Sequence, residues 1–128
     1  MDKEEQEALD DLARLFPAMA CGEVQTLKQH LIDARSLYNP RKTKKIREML
    51  PELERLKKQG VSFGYPLVSD VITNLETLIN KTKAVSENEF GLMLNDILLL
   101  QEILWKKIRG DGGEKGRKLL NRLPRISK

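Results

Sequence analysis

The order of hydrophobic and polar residues along the chain predicts helices and no strands. Apolar side chains recur three and four positions apart, which places them on one face of an α-helix. This spacing predicts five helices, a short first one and four longer ones, over residues 2–16, 23–38, 41–59, 67–83 and 86–108.

Prolines, glycines and capping residues mark where these helices begin and end. Pro17 and the residues up to Gly22 are expected to separate the first two helices. Pro51 lies inside the third helix, where its missing amide should bend the helix locally. Ser86 and Glu89 have the spacing of a capping box, which predicts the start of the fifth helix.

Four longer helices with short connections predict an all-α fold. We expect an antiparallel up-down four-helix bundle with an additional short N-terminal helix packed across it. The bundle should span residues 1–110, and glycines after residue 109 should end it. Residues 111–128 are predicted to be a basic C-terminal tail, either flexible or weakly helical. A helical tail would dock onto the bundle through its apolar residues Leu119, Leu120, Leu123 and Ile126.

Composition limits the chemistry that the chain can carry. With 128 residues but only one cysteine and one histidine, it cannot form an internal disulfide, and a Cys/His metal site within one chain is nearly excluded. We therefore expect no metal and no cofactor. The acidic N-terminus is unlike a signal peptide, and no apolar run approaches the roughly 20 residues that cross a bilayer, so we expect a cytoplasmic protein without a membrane partner.

The formal net charge of +4 is distributed unevenly. Basic residues are concentrated in the tail and in a cluster formed by Lys42, Lys44, Lys45 and Arg47. Such clusters contact nucleic acid when a reading motif or interleaved aromatic residues accompany them, and neither does here. A solvated surface is the favoured interpretation, and a basic helical nucleic-acid-associated or scaffold protein is the alternative.

The most specific segment of the sequence is residues 54–66, ERLKKQGVSFGYP. It resembles the active-site stretch of histidine-containing phosphotransfer (Hpt) domains, which in a bacterial subgroup reads approximately HDLKGQGG(T/S)FGYP. The residues that fit this pattern, without a gap, are Leu56, Lys57, Gln59, Gly60, Ser62, Phe63, Gly64, Tyr65 and Pro66.

The segment departs from the family at the reacting centre. Glu54 stands where the family has its phosphorylated histidine, and a surface carboxylate lacks the metal and hydrogen-bond donors that stabilise an acyl phosphate. Lys58 stands where the family has a glycine that lets the receiver domain approach. The resemblance therefore implies a monomeric, non-enzymatic module of bacterial two-component signalling. It would bind the receiver domain of a response regulator or hybrid kinase without carrying phosphate.

The resemblance also implies a partner-binding surface along the third and fourth helices. On a helical wheel Glu54 lies about 110° from the apolar stripe, with Arg47 and Lys58 on the same side. Lys58 has the spacing to pair with Glu54, and Lys57 is left to pair with an acidic partner. An ordinary solvated, salt-bridged face is the other interpretation of these residues. The predicted surface comprises Arg47, Leu50, Glu54, Lys57, Lys58, Ser62 and Tyr65.

His30 is the one histidine that could replace the missing phosphate acceptor. It lies at the border of an apolar helix face, and neither the lysine nor the glycine of the family pattern follows it. We therefore predict a partly buried structural histidine.

Overall fold

The computed structural model describes residues 2–110 and 113–122, and within these ranges the protein is helical with no strand. The all-helical prediction is therefore confirmed. The helices of the described ranges are α1 (Lys3–Ala34), α2 (Arg41–Arg47), α3 (Leu50–Ser62), α4 (Pro66–Lys81), α5 (Glu87–Trp105) and α6 (Gly113–Leu120). In packing, α1 contacts α5 and the short α2, α5 contacts α4, and α4 contacts α3.

Each of the long helices contributes one apolar face to a shared core, as the spacing of three and four predicts. α5 contributes Met93, Ile97 and Leu100, which have no exposed surface. Burying one such side chain contributes roughly 1.5–3 kcal/mol. Apolar burial between helices is therefore the main force that holds them together.

The predicted division of the N-terminal region into two helices is wrong, because α1 continues through Pro17 without a break. Pro17 cannot donate to the carbonyl of Ala13, which costs the helix one hydrogen bond. Phe16, Ala20 and Val24 are buried on both sides of that position. Their packing on the bundle outweighs the local loss, so there is no separate short N-terminal helix.

The predicted third helix is divided into α2 and α3. Pro51 is the second residue of α3 and has no amide to donate to the carbonyl of Arg47. α2 ends at Arg47, and the two residues between the helices keep right-handed helical backbone angles. The interruption therefore lies within the turn before the proline, where the hydrogen bond is lost.

The capping box that begins α5 is confirmed. The hydroxyl of Ser86 accepts a hydrogen bond from the amide of Glu89, and the Glu89 carboxylate accepts one from the amide of Ser86. α5 ends at Trp105, three residues before the predicted end. Lys107 then adopts a left-handed φ of 53°, which turns the chain away from the helix axis.

Part of the predicted tail forms α6, which packs beside α4 and α5. Leu119 is buried, and the Asn95 side chain of α5 donates to the carbonyl of Arg122 at 3.1 Å. The Arg122 guanidinium also lies 2.6 Å from the Glu102 carboxylate. Leu123 and Ile126, which were predicted to help dock the tail, lie outside the described residues. No helix within residues 2–110 and 113–122 is both long enough and apolar enough to cross a membrane.

Asp96 of α5 is a fully buried carboxylate. One of its oxygens accepts a hydrogen bond from the Asn74 side chain at 2.7 Å, and the other is buried without a hydrogen-bond partner among the described residues. Burial raises the pKa of Asp96 to about 6, and the bond from Asn74 offsets only part of that effect. The folded protein therefore holds a proton on Asp96 more tightly than the unfolded chain does.

We predict that the protein is more stable at pH 5 than at pH 7.5. Between the unfolded pKa of 3.8 and the folded pKa of about 6 the folded state binds more protons, so its stability falls as the pH rises through this interval. The free energy of unfolding is expected to fall by about 1–2 kcal/mol between pH 5 and pH 7.5. Urea unfolding at both pH values should show this loss in the wild type and little of it in Asp96→Asn.

The matched control is Asp70→Asn, which changes an exposed carboxylate on α4. It should keep the pH dependence of the wild type. A wild-type stability that does not change between these pH values would contradict the assignment to Asp96.

Candidate functional site

Residues 54–66 form most of α3 and the tight turn into α4. The amide of Tyr65 donates to the carbonyl of Gly60 at 2.7 Å, and Gly64 has a φ of 86°, which favours glycine. Pro66 is the first residue of α4, where the missing amide of proline costs no helical hydrogen bond. These residues of the Hpt-like pattern therefore shape a turn between two neighbouring helices.

Gly60 allows α4 to approach α3 closely. A Cβ atom at this position would lie 3.1 Å from the carbonyl oxygen of Tyr65 and 3.2 Å from the Val68 side chain. Both distances are tighter than ordinary van der Waals contact, and one of them involves backbone. A larger residue at position 60 would therefore push the two helices apart.

Tyr65 is not on the surface, so its predicted place among the partner-binding residues is wrong. It is 3% exposed, and its ring centroid lies 5.6 Å from that of Phe16 on α1. The guanidinium of Arg109 lies 5.7 Å from the same ring. Tyr65 precedes α4 directly, and there its ring fills the space between α1 and the end of α5.

Glu54 is half-exposed on the solvent side of α3, where Lys57 is its closest cationic neighbour. The Lys57 ammonium lies 2.8 Å from the Glu54 carboxylate and 2.7 Å from the Glu76 carboxylate of α4. Lys58 also contacts Glu54, but at 3.8 Å. The predicted pair of Glu54 and Lys58 is present, whereas Lys57 is bound within the protein instead of being left for a partner.

Lys57 controls the electrostatics of this site. Its hydrogen bond lowers the pKa of the Glu54 carboxyl, and the hydrogen bonds to Glu54 and Glu76 raise the pKa of Lys57. Glu54 and Lys57 are therefore both charged at neutral pH. With Lys58 included, two carboxylates face two ammonium groups, so the local charges balance.

The other predicted surface residues are spread along the helices. Leu50 is half-buried against the core, and Ser62 is exposed at the end of α3. Arg47 is exposed, but its guanidinium donates to the carbonyl of Thr82 at 3.2 Å. Because Thr82 follows the last residue of α4, Arg47 lies at the opposite end of α4 from the turn.

Sequence reasoning missed Val61 and Glu76. Val61 is 61% exposed and lies seven residues after Glu54, nearly two helical turns along the same side of α3. This spacing could have identified Val61 as a surface neighbour of Glu54 from the sequence. Glu76 becomes a neighbour of Lys57 only when α3 packs on α4, and no local pattern reports it. We call the resulting surface the Glu54 face, formed by Leu50, Glu54, Lys57, Lys58, Val61 and Glu76.

His30 is partly buried, with its Nε2 atom 2.6 Å from the carbonyl oxygen of Lys45 and 3.7 Å from the Glu48 carboxylate. These contacts join α1 to α2 and the residue after it, as expected for a structural histidine. No group of three or more histidine, cysteine, aspartate or glutamate side chains suited to a metal ion occurs in the described part of the chain.

A cleft of about 900 Å³ lies away from the Glu54 face. It is between the N-terminal half of α1 and the end of α5, with Asp10, Arg14, Lys107 and Arg109 among its lining residues. On the Glu54 face, Lys58 and Val61 are exposed to solvent. An exposed helix surface suits a macromolecule better than a small ligand, because sites for small ligands are concave.

No family model, curated protein or solved structure matches the chain. The resemblance of residues 54–66 to Hpt domains is therefore a likeness of sequence pattern alone.

We predict that Lys57→Met raises the pKa of the Glu54 carboxyl, because the hydrogen bond from Lys57 is the largest effect that lowers it. Carbon-13 NMR titration of the glutamate carboxyls measures the shift. The matched control is Lys58→Met, which removes an ammonium group at 3.8 Å and should raise the pKa less. Equal shifts in the two variants would show that Lys57 has no special role.

Proposed function

We propose that this protein is a non-catalytic, Hpt-like module that binds a receiver domain through the Glu54 face, in the cytoplasm of a bacterium. The observation that carries the proposal is the position of Glu54. It aligns with the histidine of the family pattern and lies half-exposed on a helix, next to a turn formed by the matching residues.

The proposal includes an antiparallel up-down bundle of α1, α3, α4 and α5, the arrangement of a phosphotransfer domain. Support comes from contacts whose residue numbers increase on one helix while they decrease on the next. α1 and α3 are joined by Phe16–Phe63 and Glu23–Arg55, and α3 and α4 by Lys57–Glu76 and Gly60–Val68. α4 and α5 are joined by Asn74–Asp96 and Thr82–Glu89. α1 and α5 are joined by Gln25–Gln101 and Arg35–Glu87.

Phosphoryl transfer through Glu54 is not part of the proposed function. The reaction requires a nucleophile and positive groups placed to stabilise charge on the transferred phosphoryl. Here the oxygens of Glu54 face two ammonium groups, and the nearer one, Lys57, is shared with Glu76. Lys57 therefore neutralises carboxylates of its own chain.

The composition of the Glu54 face suits a protein partner. Leu50 and the exposed Val61 offer apolar contact, and the balanced charges lie among them. Protein interfaces commonly combine an apolar centre with a polar rim. The face would therefore bind a partner mainly through apolar contact and shape, with the charges fixing its orientation.

Binding to purified receiver domains from the source organism tests this function. We expect at least one receiver to bind, and we expect Val61→Asp to weaken that binding about tenfold, equal to about 1.4 kcal/mol. The matched control is Leu98→Asp on α5, which also adds a carboxylate at an exposed apolar position and should leave the affinity unchanged. If no receiver binds, or if both variants weaken binding equally, the Glu54 face is not a receiver-docking surface.

Restoring the chemistry tests the alignment of Glu54 with the histidine. We predict that Glu54→His alone accepts little phosphate from a phosphorylated receiver, because the side chain of Lys58 still obstructs the approach. The double variant Glu54→His, Lys58→Gly should accept more, and the label should be acid-labile. Label on the wild-type chain would refute the claim that it carries no phosphate.

A further inference from the structure

α1 is longer than the bundle on which it packs. Its 32 residues extend about 48 Å, whereas the 19 residues of α5 extend about 28 Å. Residues 2–12 are all exposed, and Phe16 is the first buried side chain of the helix. Between three and four turns of helix, residues 3–15, therefore project beyond the core, and we call this part the α1 overhang.

An apolar stripe that does not face the core runs along this region. Leu12, Leu15 and Met19 are 46%, 56% and 57% exposed, and Ala8 extends the same row. The steps of four, three and four residues are those of a coiled-coil seam. The row lies about 110° around the helix from the core-facing side chains Phe16, Ala20 and Val24, so it remains available in the folded bundle. We call these four residues the α1 stripe.

The α1 overhang has little tertiary packing of its own, because the side chains of residues 3–12 are exposed. Most helical stability in proteins comes from the packing of an apolar face, which the α1 overhang lacks within its own chain. Its N-terminus is capped by Asp2, which accepts a hydrogen bond from the amide of Glu5, but the cap supports only the first turn. Packing of the α1 stripe against another helix would supply the missing stabilisation.

The charges along α1 fit a second copy of this chain. Residues 2–11 include six acidic side chains and the single basic side chain Lys3. α2 lies beside the other part of α1, joined to it by His30 and Lys45, and its seven residues contain five basic side chains and no acidic one. The acidic end of one copy is therefore complementary to the surface beside residues 26–30 of another.

We propose that the protein forms a two-fold symmetric homodimer through the α1 stripe, with the two α1 helices antiparallel. With the axis near Leu15, Leu12 packs beside Met19 of the other copy. The first residues of each overhang then lie along residues 26–30 of the other copy, next to its basic α2. Such an isologous contact satisfies both stripes at once. The proposed dimer differs from the monomer that was expected from the sequence.

The side chains along the path of the second helix are small. Gly22 and Thr26 continue the side of α1 that carries the α1 stripe. A Cβ atom on Gly22 would meet nothing within 4 Å. A helix can therefore lie close to α1 along this line.

The dimer leaves the Glu54 face accessible. α3 directs Arg55 toward Glu23 of α1 and Lys57 toward Glu76 of α4. The Glu54 face is therefore turned away from α1, and each dimer would present two such faces. The proposal does not depend on what binds there.

Analytical ultracentrifugation of the full chain tests the dimer. Over about 1–200 µM the mass of the wild type should rise from 14.7 kDa toward twice that value. Leu15→Glu should raise the dissociation constant about 30-fold or more, as expected when a charge replaces a central apolar contact. The matched control Leu98→Glu changes a similarly exposed leucine on α5 and should dimerise like the wild type.

Disulfide cross-linking tests the arrangement. In a Cys21→Ser background, Leu15→Cys should form a covalent dimer on mild oxidation because the two copies of residue 15 meet near the axis, and Leu98→Cys should not. A chain that stays monomeric at every concentration overturns the proposal. So does a dimer that Leu15→Glu leaves intact, or cross-linking that is equal at positions 15 and 98.

Discussion

The close contact of α3 with α4 at Gly60 is the constraint on which the site depends. The two helices can approach only because position 60 has no side chain, since a Cβ atom there would lie 3.1 Å from the carbonyl oxygen of Tyr65. The approach lets the Tyr65 amide reach the Gly60 carbonyl, and further along it lets Lys57 reach Glu76. The electrostatic state of Glu54 therefore follows from the packing of two backbones.

Local signals predicted the elements well where tertiary packing agreed with them. The capping box at Ser86 acts within one helical turn, and it occurs where the sequence indicates. Pro17 is also a local signal, but the buried residues on either side keep α1 continuous through it. Pro51 lies just after the interruption of its helix, because it cannot donate to the carbonyl of Arg47, the last residue of α2.

The same distinction applies to the candidate site. The exposure of Glu54 and its pairing with Lys58 follow from positions on one helix, so the sequence was sufficient for both. The contact of Lys57 with Glu76 depends on how α3 and α4 pack, and the burial of Tyr65 depends on α1 and Arg109. Periodicity within a helix reports which residues share its face, but it does not report which residues of another helix lie opposite.

The balance of charge on the Glu54 face restricts how a partner can be recognised. Lys57 already forms ion pairs with two carboxylates of its own chain, and a partner that binds its ammonium group would have to break these ion pairs. A purely ionic attraction between this face and a charged partner is therefore weak, and salt screens what remains. Under the proposed function, discrimination between partners would come from the shape of the surface and from Val61 and Leu50. In that proposal, a glutamate held in this way at the place of a phosphorylatable histidine leaves a surface for apolar contact instead of a site for chemistry.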